Sequence, residues 1–339
     1  MHRKIFEEEN YDNIWKNLTE FGINNPQKAS VFIDEFQNLP EASKSVKYLF
    51  DHYHTKFFLT GSSSFYLKNL FPESMANRKI IIELFPLNFS EFLTFKGVTR
   101  NIKTGWKEKA KEKNYISYQK LISFYKEYMQ FGGFPEVVLE ANRERKRELF
   151  EEIFTSYFEK DVKTLTDYKD LAKIRDLILL LAQRVGAKLE VAKISSELFL
   201  SRETVYNYLE FLQKSYFLYL IPKHTKSIDR AVAGGKKVYL CDCGLSNYLS
   251  QINTVQLFEA SVFQNISQEA KKIAYFDEEG RLEIDFVVDG RVGLEVKKAA
   301  SSIKTGIFKQ RLNKAKLKEG YMVSLEFDKG KEIILATDL

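Results

Sequence analysis

The sequence predicts an α/β protein in three successive parts: a partial parallel sheet, a helical region, and a mixed α+β end. Three observations carry that prediction. Two short apolar runs, Val31-Phe32-Ile33-Asp34 and Lys56-Phe57-Phe58-Leu59-Thr60, flank a helical stretch at 42–54. Strand–helix–strand order with continuously apolar strands is the pattern of a parallel sheet covered on both faces. From about 116 to 185 apolar residues recur at helical spacing, interrupted at Gly132-Gly133-Phe134-Pro135. From about 236 strand-like and helix-like periods mix, with Asp289-Gly290 as a hairpin turn between two strands.

Each element has its own signal. Ile14, Trp15, Leu18 and Phe21 space a helix over 11–21, which Asn24-Asn25-Pro26 ends. The strand at 31–34 runs into two acids, Asp34 and Glu35. Val46, Leu49 and Phe50 share one face of the helix at 42–54. The strand at 56–60 leads into Gly61-Ser62-Ser63-Ser64, and a third strand, Ile80-Ile81-Ile82-Glu83-Leu84, is expected after Arg78. The Lys/Arg-rich stretch 96–113 is expected to be a solvated surface insertion. Val191-Ala192-Lys193-Ile194-Ser195 opens a helix, Ser201 is a suitable N-cap for a second, and 216–221 follows as an apolar wing strand. That order predicts a winged helix-turn-helix. Further strands are expected at 238–240, 272–276, 281–288, 293–297 and 321–325, with helices at 257–271 and 303–318. The expected domains are 1–95, 96–185, 186–225 and 226–339.

With 44% hydrophobic and 29% charged residues the chain can bury a core, and its 339 residues suggest about two or three domains. A net charge of +6 permits an anionic partner without requiring one. The two cysteines, Cys241 and Cys243, fall on one face of an expected strand and are too few for a structural zinc site. Nothing resembles a disulfide framework, and no apolar run approaches the roughly 20 residues that span a bilayer. Met1-His2-Arg3-Lys4 leads into Glu7-Glu8-Glu9, not into an apolar signal segment. A cytoplasmic protein with no membrane partner is the expectation.

Two acids at the end of a buried strand suit phosphoryl chemistry. Asp34 can hold Mg²⁺ through water while Glu35 polarises the attacking water. Thr60, at the tip of the next strand, can contact the γ-phosphate or that water. Arg78 can bring positive charge to the phosphates of its own or a neighbouring site.

The strings Ile33-Asp34-Glu35-Phe36-Gln37-Asn38-Leu39-Pro40, Leu59-Thr60-Gly61-Ser62-Ser63-Ser64 and Leu84-Phe85-Pro86-Leu87-Asn88-Phe89-Ser90-Glu91-Phe92-Leu93 resemble the prokaryotic AAA-type ATPases that carry a C-terminal domain of unknown function. Gly132-Gly133-Phe134-Pro135-Glu136, Lys160-Asp161-Val162 and Lys237-Val238-Tyr239-Leu240-Cys241-Asp242-Cys243-Gly244-Leu245 agree. The resemblance runs from about 11 to 325. It implies that Asp34 and Glu35 are the Walker B acids, that Thr60 or Ser62 is the sensor, and that ATP and Mg²⁺ are the cofactors. Arg78 matches an arginine that usually follows a glycine, replaced here by Asn77.

The family also has a Gly-rich phosphate-binding loop ending in Gly-Lys-Thr or Gly-Lys-Ser, and no such string occurs here. Gly61-Ser62-Ser63-Ser64 and Gly234-Gly235-Lys236-Lys237 neither follow a first strand nor match G-x-x-x-x-G-K-[ST]. Without backbone N–H groups to take the nucleotide's charge, the acids would repel the phosphates. The expectation is an N-terminally truncated or split-gene ATPase-family chain that does not bind ATP normally alone. Its partner would be a missing N-terminal piece or further copies of itself. An apolar edge and face near residues 31–33 should stand uncovered.

A second constellation lies near the C-terminus. Asp285 stands across the Asp289-Gly290 hairpin from Glu295 and Lys297, which share a strand face, and Glu259 on the preceding helix can join them. Carboxylates holding Mg²⁺ beside a lysine form the Asp…Glu-x-Lys pattern of restriction-endonuclease-like folds. The basic helix with Lys304, Lys309, Arg311, Lys314 and Lys316 could follow a phosphate backbone. This makes a Mg²⁺-dependent nuclease the alternative function, with nucleic acid as partner. An exposed Glu-Val-Lys strand is equally a common solvated face. The helix-turn-helix offers Arg202, Asn207 and Gln213 as tips toward DNA, with Tyr206, Tyr208 and Phe211 as packing. Such a unit also serves as a plain connector, and a non-catalytic interaction scaffold is the third possibility.

Overall fold

The computed structural model describes residues 3–6, 8, 10–23, 25–61, 79–100, 103–162, 171–225, 235–278, 282–300 and 305–339. Two compact units emerge: Met1–Glu83 with Lys214–Tyr216, and Leu84–Gln213 with Phe217–Leu339. The fold is mixed α/β, with a small parallel sheet near the N-terminus.

In the smaller unit, helix α1 (Tyr11–Glu20) starts at Asn10, whose side chain accepts the Asp12 N–H. Strands β1 (Ser30–Ile33) and β2 (Lys56–Leu59) pair in parallel, with Val31 opposite Phe57 and Ile33 opposite Leu59. Helix α2 (Ala42–Tyr53) is the crossover between them, the connection that parallel strands require. Alternation puts Val31, Ile33, Phe57 and Leu59 against a core of Ile14, Leu18, Phe36, Val46 and Leu49. Phe32 and Phe58 point the other way, 73% and 40% exposed, with their rings stacked 4.7 Å apart. Among the described residues the sheet is thus covered on one face, where the apolar run predicts cover on both.

The third strand does not form. Residues 79–85 lie outside any strand, and Ile80, Ile81, Ile82 and Leu84 are exposed. A strand's N–H and C=O groups need a neighbouring strand, and none of the described strands offers one to this segment.

The larger unit begins with helix α3 (Phe89–Phe95), closed by a reciprocal capping box between Asn88 and Glu91. Helices α4 (Trp106–Lys111), α5 (Tyr115–Phe131), α6 (Pro135–Leu139), α7 (Arg143–Tyr157) and α8 (Leu171–Gln183) follow. The basic stretch around α4 is not wholly solvated, since Lys109 and Ala110 are buried. Helices α9 (Val191–Leu198) and α10 (Arg202–Lys214) form the expected pair, and the Ser201 hydroxyl accepts the Thr204 N–H at 3.0 Å. Strand β3 (Leu218–Ile221) pairs antiparallel with β4 (Lys237–Leu240).

Asp242 then turns the chain from strand to helix. Its carboxylate accepts the Leu245 N–H at 2.8 Å and caps helix α11 (Cys243–Ser250). Cys243 therefore sits in a helix, not on a shared strand face with Cys241. The same fully buried carboxylate accepts the Gly133 N–H at 2.7 Å and the Gln264 amide at 3.1 Å. This accounts for Gly132-Gly133. Gly132 has φ +66°, and a Cβ there would collide with the Asp242 carboxylate. A Cβ on Gly133 would collide with the Leu87 carbonyl.

Helix α12 (Thr254–Ser267) precedes a five-stranded sheet of β5 (Ile273–Glu278), β6 (Leu282–Val288), β7 (Val292–Lys297), β8 (Glu319–Ser324) and β9 (Ile333–Leu335), in that order. The first three are antiparallel neighbours, while β8 and β9 join in parallel. Helix α13 (Thr305–Ala315) links β7 to β8. At the β6–β7 turn Asp289 and Gly290 both have positive φ, and Val288 stands opposite Val292, so the loop holds three residues, 289–291. Strand β9 goes beyond the sequence expectation.

Candidate functional site

In the N-terminal unit three of the four expected ATPase residues meet. The chain leaves β1 at Asp34, and Thr60 leaves the adjacent end of β2; parallel pairing brings the two tips together. The Thr60 hydroxyl donates to the Asp34 carboxylate. The Glu35 N–H donates to the Thr60 hydroxyl at 3.2 Å, and the Phe36 N–H to the Thr60 carbonyl at 2.9 Å. Glu35 itself has φ +49°. A left-handed glutamate costs on the order of 1–3 kcal/mol and persists only where neighbours hold it. Here the hydrogen bonds of Thr60 do so, and the Gln37 amide donates to the Glu35 carboxylate at 2.5 Å. Asp34 and Thr60 are exposed and Glu35 is half-buried, so the group faces solvent from one end of the sheet. Arg78 and Ser62 lie outside the described residues.

The C-terminal cluster gathers Glu259 from α12, Asp285 from β6, and Glu295 and Lys297 from β7. Lys297 Nζ is 3.1 Å from Glu295 and 3.7 Å from Asp285. Asp285 also accepts the Val296 N–H at 2.7 Å. Three members were not foreseen as partners in this group: Lys237 and Tyr239 of β4, and Arg311 as a partner of Glu295. Lys237 Nζ lies 2.8 Å from Glu283, 3.3 Å from Glu259 and 3.8 Å from Asp285. Tyr239 donates to Glu259 at 2.5 Å, and Arg311 pairs with Glu295 at 2.5 Å.

Lys237, Asp285 and Glu295 are buried and Glu259, Glu283 and Lys297 half-buried, and the ionisation of the group follows. Burial, then the charge of Asp285, pushes the Glu259 carboxyl up to about 7, against Lys237 and Tyr239. Burial and Asp285 raise Glu295 as well. Burial would push the Lys237 ammonium down, but Glu259, Asp285 and Glu283 together push it up. Glu295 keeps one buried oxygen, Oε2, without a hydrogen-bond partner. Among the described residues no three His, Cys, Asp or Glu side chains lie close enough together to hold one ion.

On α10, Arg202 and Asn207 are exposed, but so are Glu203 and Glu210 on the same outer surface. Tyr206, expected to pack, is 58% exposed, while Tyr208 is buried. Among the described residues no helix is long and apolar enough to cross a membrane.

Residues 2–93 match the family described as AAA domain, and residues 122–256 match a domain of unknown function (DUF8612). An uncharacterized protein of Methanocaldococcus jannaschii, MJ1544, is 28% identical over 303 residues, which are 84% of this chain and 65% of the relative. An uncharacterized protein of Haemophilus influenzae is 26% identical over 248 residues, 69% of this chain and 58% of the relative. A second M. jannaschii protein, MJ1637, also uncharacterized, is 25% identical over 235 residues, 64% of this chain and 48% of the relative. The chain thus spans between about half and two thirds of the curated relatives it matches. No solved structure matches it. Its first 93 residues are similar to an AAA domain, and its middle to a domain whose function is not known.

Proposed function

We propose that this chain is an AAA-type nucleotide-family protein whose N-terminal unit supplies the metal-and-water half of a nucleoside-triphosphate site. The observation that carries this is the Thr60–Asp34 hydrogen bond at the adjoining tips of two parallel strands, with Glu35 fixed beside it. Asp34 would hold Mg²⁺, Glu35 would polarise the attacking water, and Thr60 would orient Asp34. Magnesium in such a site neutralises phosphate charge. The acids present suit it, since both carboxylates are oxygen donors at a solvent-facing end. The phosphate-binding loop would come from residues outside this sequence. The exposed Phe32–Phe58 face and the exposed Ile80, Ile81, Ile82 and Leu84, which lie outside any strand, are apolar surfaces that such a segment would cover.

The test is the DNA immediately 5′ of the Met1 codon. It should encode a strand followed by G-x-x-x-x-G-K-[ST], in frame or after a shift, and a chain that includes it should hydrolyse ATP with Mg²⁺. Unrelated coding DNA there, or an extended chain without hydrolysis, would overturn the proposal.

The alternative, Mg²⁺-dependent cleavage of nucleic acid at the C-terminal cluster, draws its support from topology. The order α12–β5–β6–β7–α13–β8, with Asp285 and Glu295-x-Lys297 on adjacent strands, is the arrangement that restriction-endonuclease-like folds use. The donor set as folded does not fit a divalent ion, because Lys237 stands among the carboxylates such an ion would need. No cleavage step is therefore assigned. Cutting of plasmid with Mn²⁺, lost in Glu295→Ala, would establish that alternative. Glu203 and Glu210 on the outer surface of α10 would repel DNA phosphates, which favours a connecting role for the helix pair.

A further inference from the structure

We propose that Lys237 is the resident cation of the C-terminal cluster: its ammonium group takes the place a divalent ion would need between Glu259 and Asp285, and so masks a metal site. The proposal rests on the geometry of that cluster and not on the nucleotide half-site.

Lys237 reaches the cluster from outside the five-stranded sheet. Strand β4 pairs with β3, not with β5–β9, yet Lys237 is only 3% exposed. A lysine is so deeply buried only when its charge is matched. Three carboxylates, Glu283, Glu259 and Asp285, lie 2.8, 3.3 and 3.8 Å from Nζ; the first two are within hydrogen-bond reach, and Asp285 adds its charge at longer range. The Tyr275 ring closes the site, its centre 5.6 Å from Nζ. Tyr239, two residues along and so on the same face of β4, donates to Glu259. One strand thus delivers a cation and a hydroxyl to the same carboxylate.

The other half of the cluster is balanced likewise. Lys297 and Arg311 flank Glu295 at 3.1 and 2.5 Å. A divalent ion would have to sit within about 4 Å of the Lys237 ammonium, in a buried site where two like charges repel strongly. Lysine and metal are therefore mutually exclusive, and the chain already contains the lysine. Removing it should expose carboxylates that only a cation from solution can balance. Glu295 Oε2, buried and unpartnered, is a further oxygen available to such an ion.

The test is calorimetric titration of MnCl₂ into the full chain, its Asp285→Asn variant, Lys237→Met, and the Lys237→Met/Asp285→Asn double variant. The wild-type chain and Asp285→Asn should take up Mn²⁺ alike. Lys237→Met should gain a saturable site, at least about tenfold tighter than anything Asp285 supports in the wild type, that the second substitution abolishes. Melting gives an independent readout, since an ion that binds the native state raises Tm: Mn²⁺ should raise the Tm of Lys237→Met and not that of the double variant. A folded Lys237→Met chain that gains no site would overturn the proposal. So would wild-type Mn²⁺ binding that Asp285→Asn removes, a result that would favour the cleavage alternative and leave the nucleotide half-site untouched. Should Lys237→Met not fold, Lys237→Gln takes its place in the same titration, with the same outcomes expected.

Discussion

Replacing Asp242 with alanine is expected to destabilise the larger unit by about 3–5 kcal/mol at pH 5, measured by urea denaturation. The side chain is fully buried and accepts from the Gly133 N–H, the Leu245 N–H and the Gln264 amide. Alanine would leave all three donors buried and unpaired, at about 1–3 kcal/mol each before relaxation. The effect has a sign in pH. Burial pushes the Asp242 carboxyl up to about 6 from 3.8, although the backbone N–H groups of Gly133 and Leu245 and the Gln264 amide hold it back. A folded-state value above the unfolded one means that the folded protein favours the protonated form. That contribution is fully present below about pH 4 and is lost as pH rises through about 6, at up to about 1.4 kcal/mol per unit. The cost of Asp242→Ala should therefore be about 1 kcal/mol smaller at pH 7 than at pH 5. A cost below about 1 kcal/mol at pH 5, or one that grows with pH, would show that this carboxylate is not the hub described.

If the proposed function holds, in a chain extended by a phosphate-binding loop Glu35→Gln should lower ATP hydrolysis at least about 100-fold, the usual reach of a positioned proton acceptor. Nucleotide binding should change little, because glutamine keeps the size and the hydrogen bond to the Gln37 side chain but no longer takes a proton. The backbone geometry makes Glu35 a sharper candidate than its sequence position alone. Its positive φ, held by Thr60, aims the residue away from the path a regular strand would follow. A rate within about threefold of the parent would remove Glu35 from the water-polarising role.

The parts of the molecule legible in sequence are those set by local chemistry. Asp34 and Thr60 could be placed together because parallel strands joined by one crossover bring their ends to the same side. Asp285 and Glu295 could be placed together because the Asp289-Gly290 turn folds β7 back along β6; the register, with Phe286 opposite Leu294, is set by Arg291 joining the loop. What escaped depends on neighbours distant in sequence. The run Ile80-Ile81-Ile82 has the composition of a strand, but composition does not supply a partner strand. Lys237 looks like the start of a strand; only the packing of β4 against α12 and β6 reveals that it is buried among acids. Asp242 reads as one acid in an apolar string, and its signal was present in Gly132-Gly133, two glycines that need a reason. Tyr206 was expected in the core from its apolar ring, whereas the helix period leaves it outward.

The half-site itself is tested most directly by titrating Mg·ATP into the 339-residue chain by isothermal calorimetry. On the proposed roles of Asp34, Glu35 and Thr60, and with no G-x-x-x-x-G-K-[ST] string in the sequence to take the phosphate charge, no saturable binding is expected below about 1 mM. Micromolar binding that Asp34→Ala removes would contradict the account, since these residues would then hold a nucleotide without a loop of that pattern.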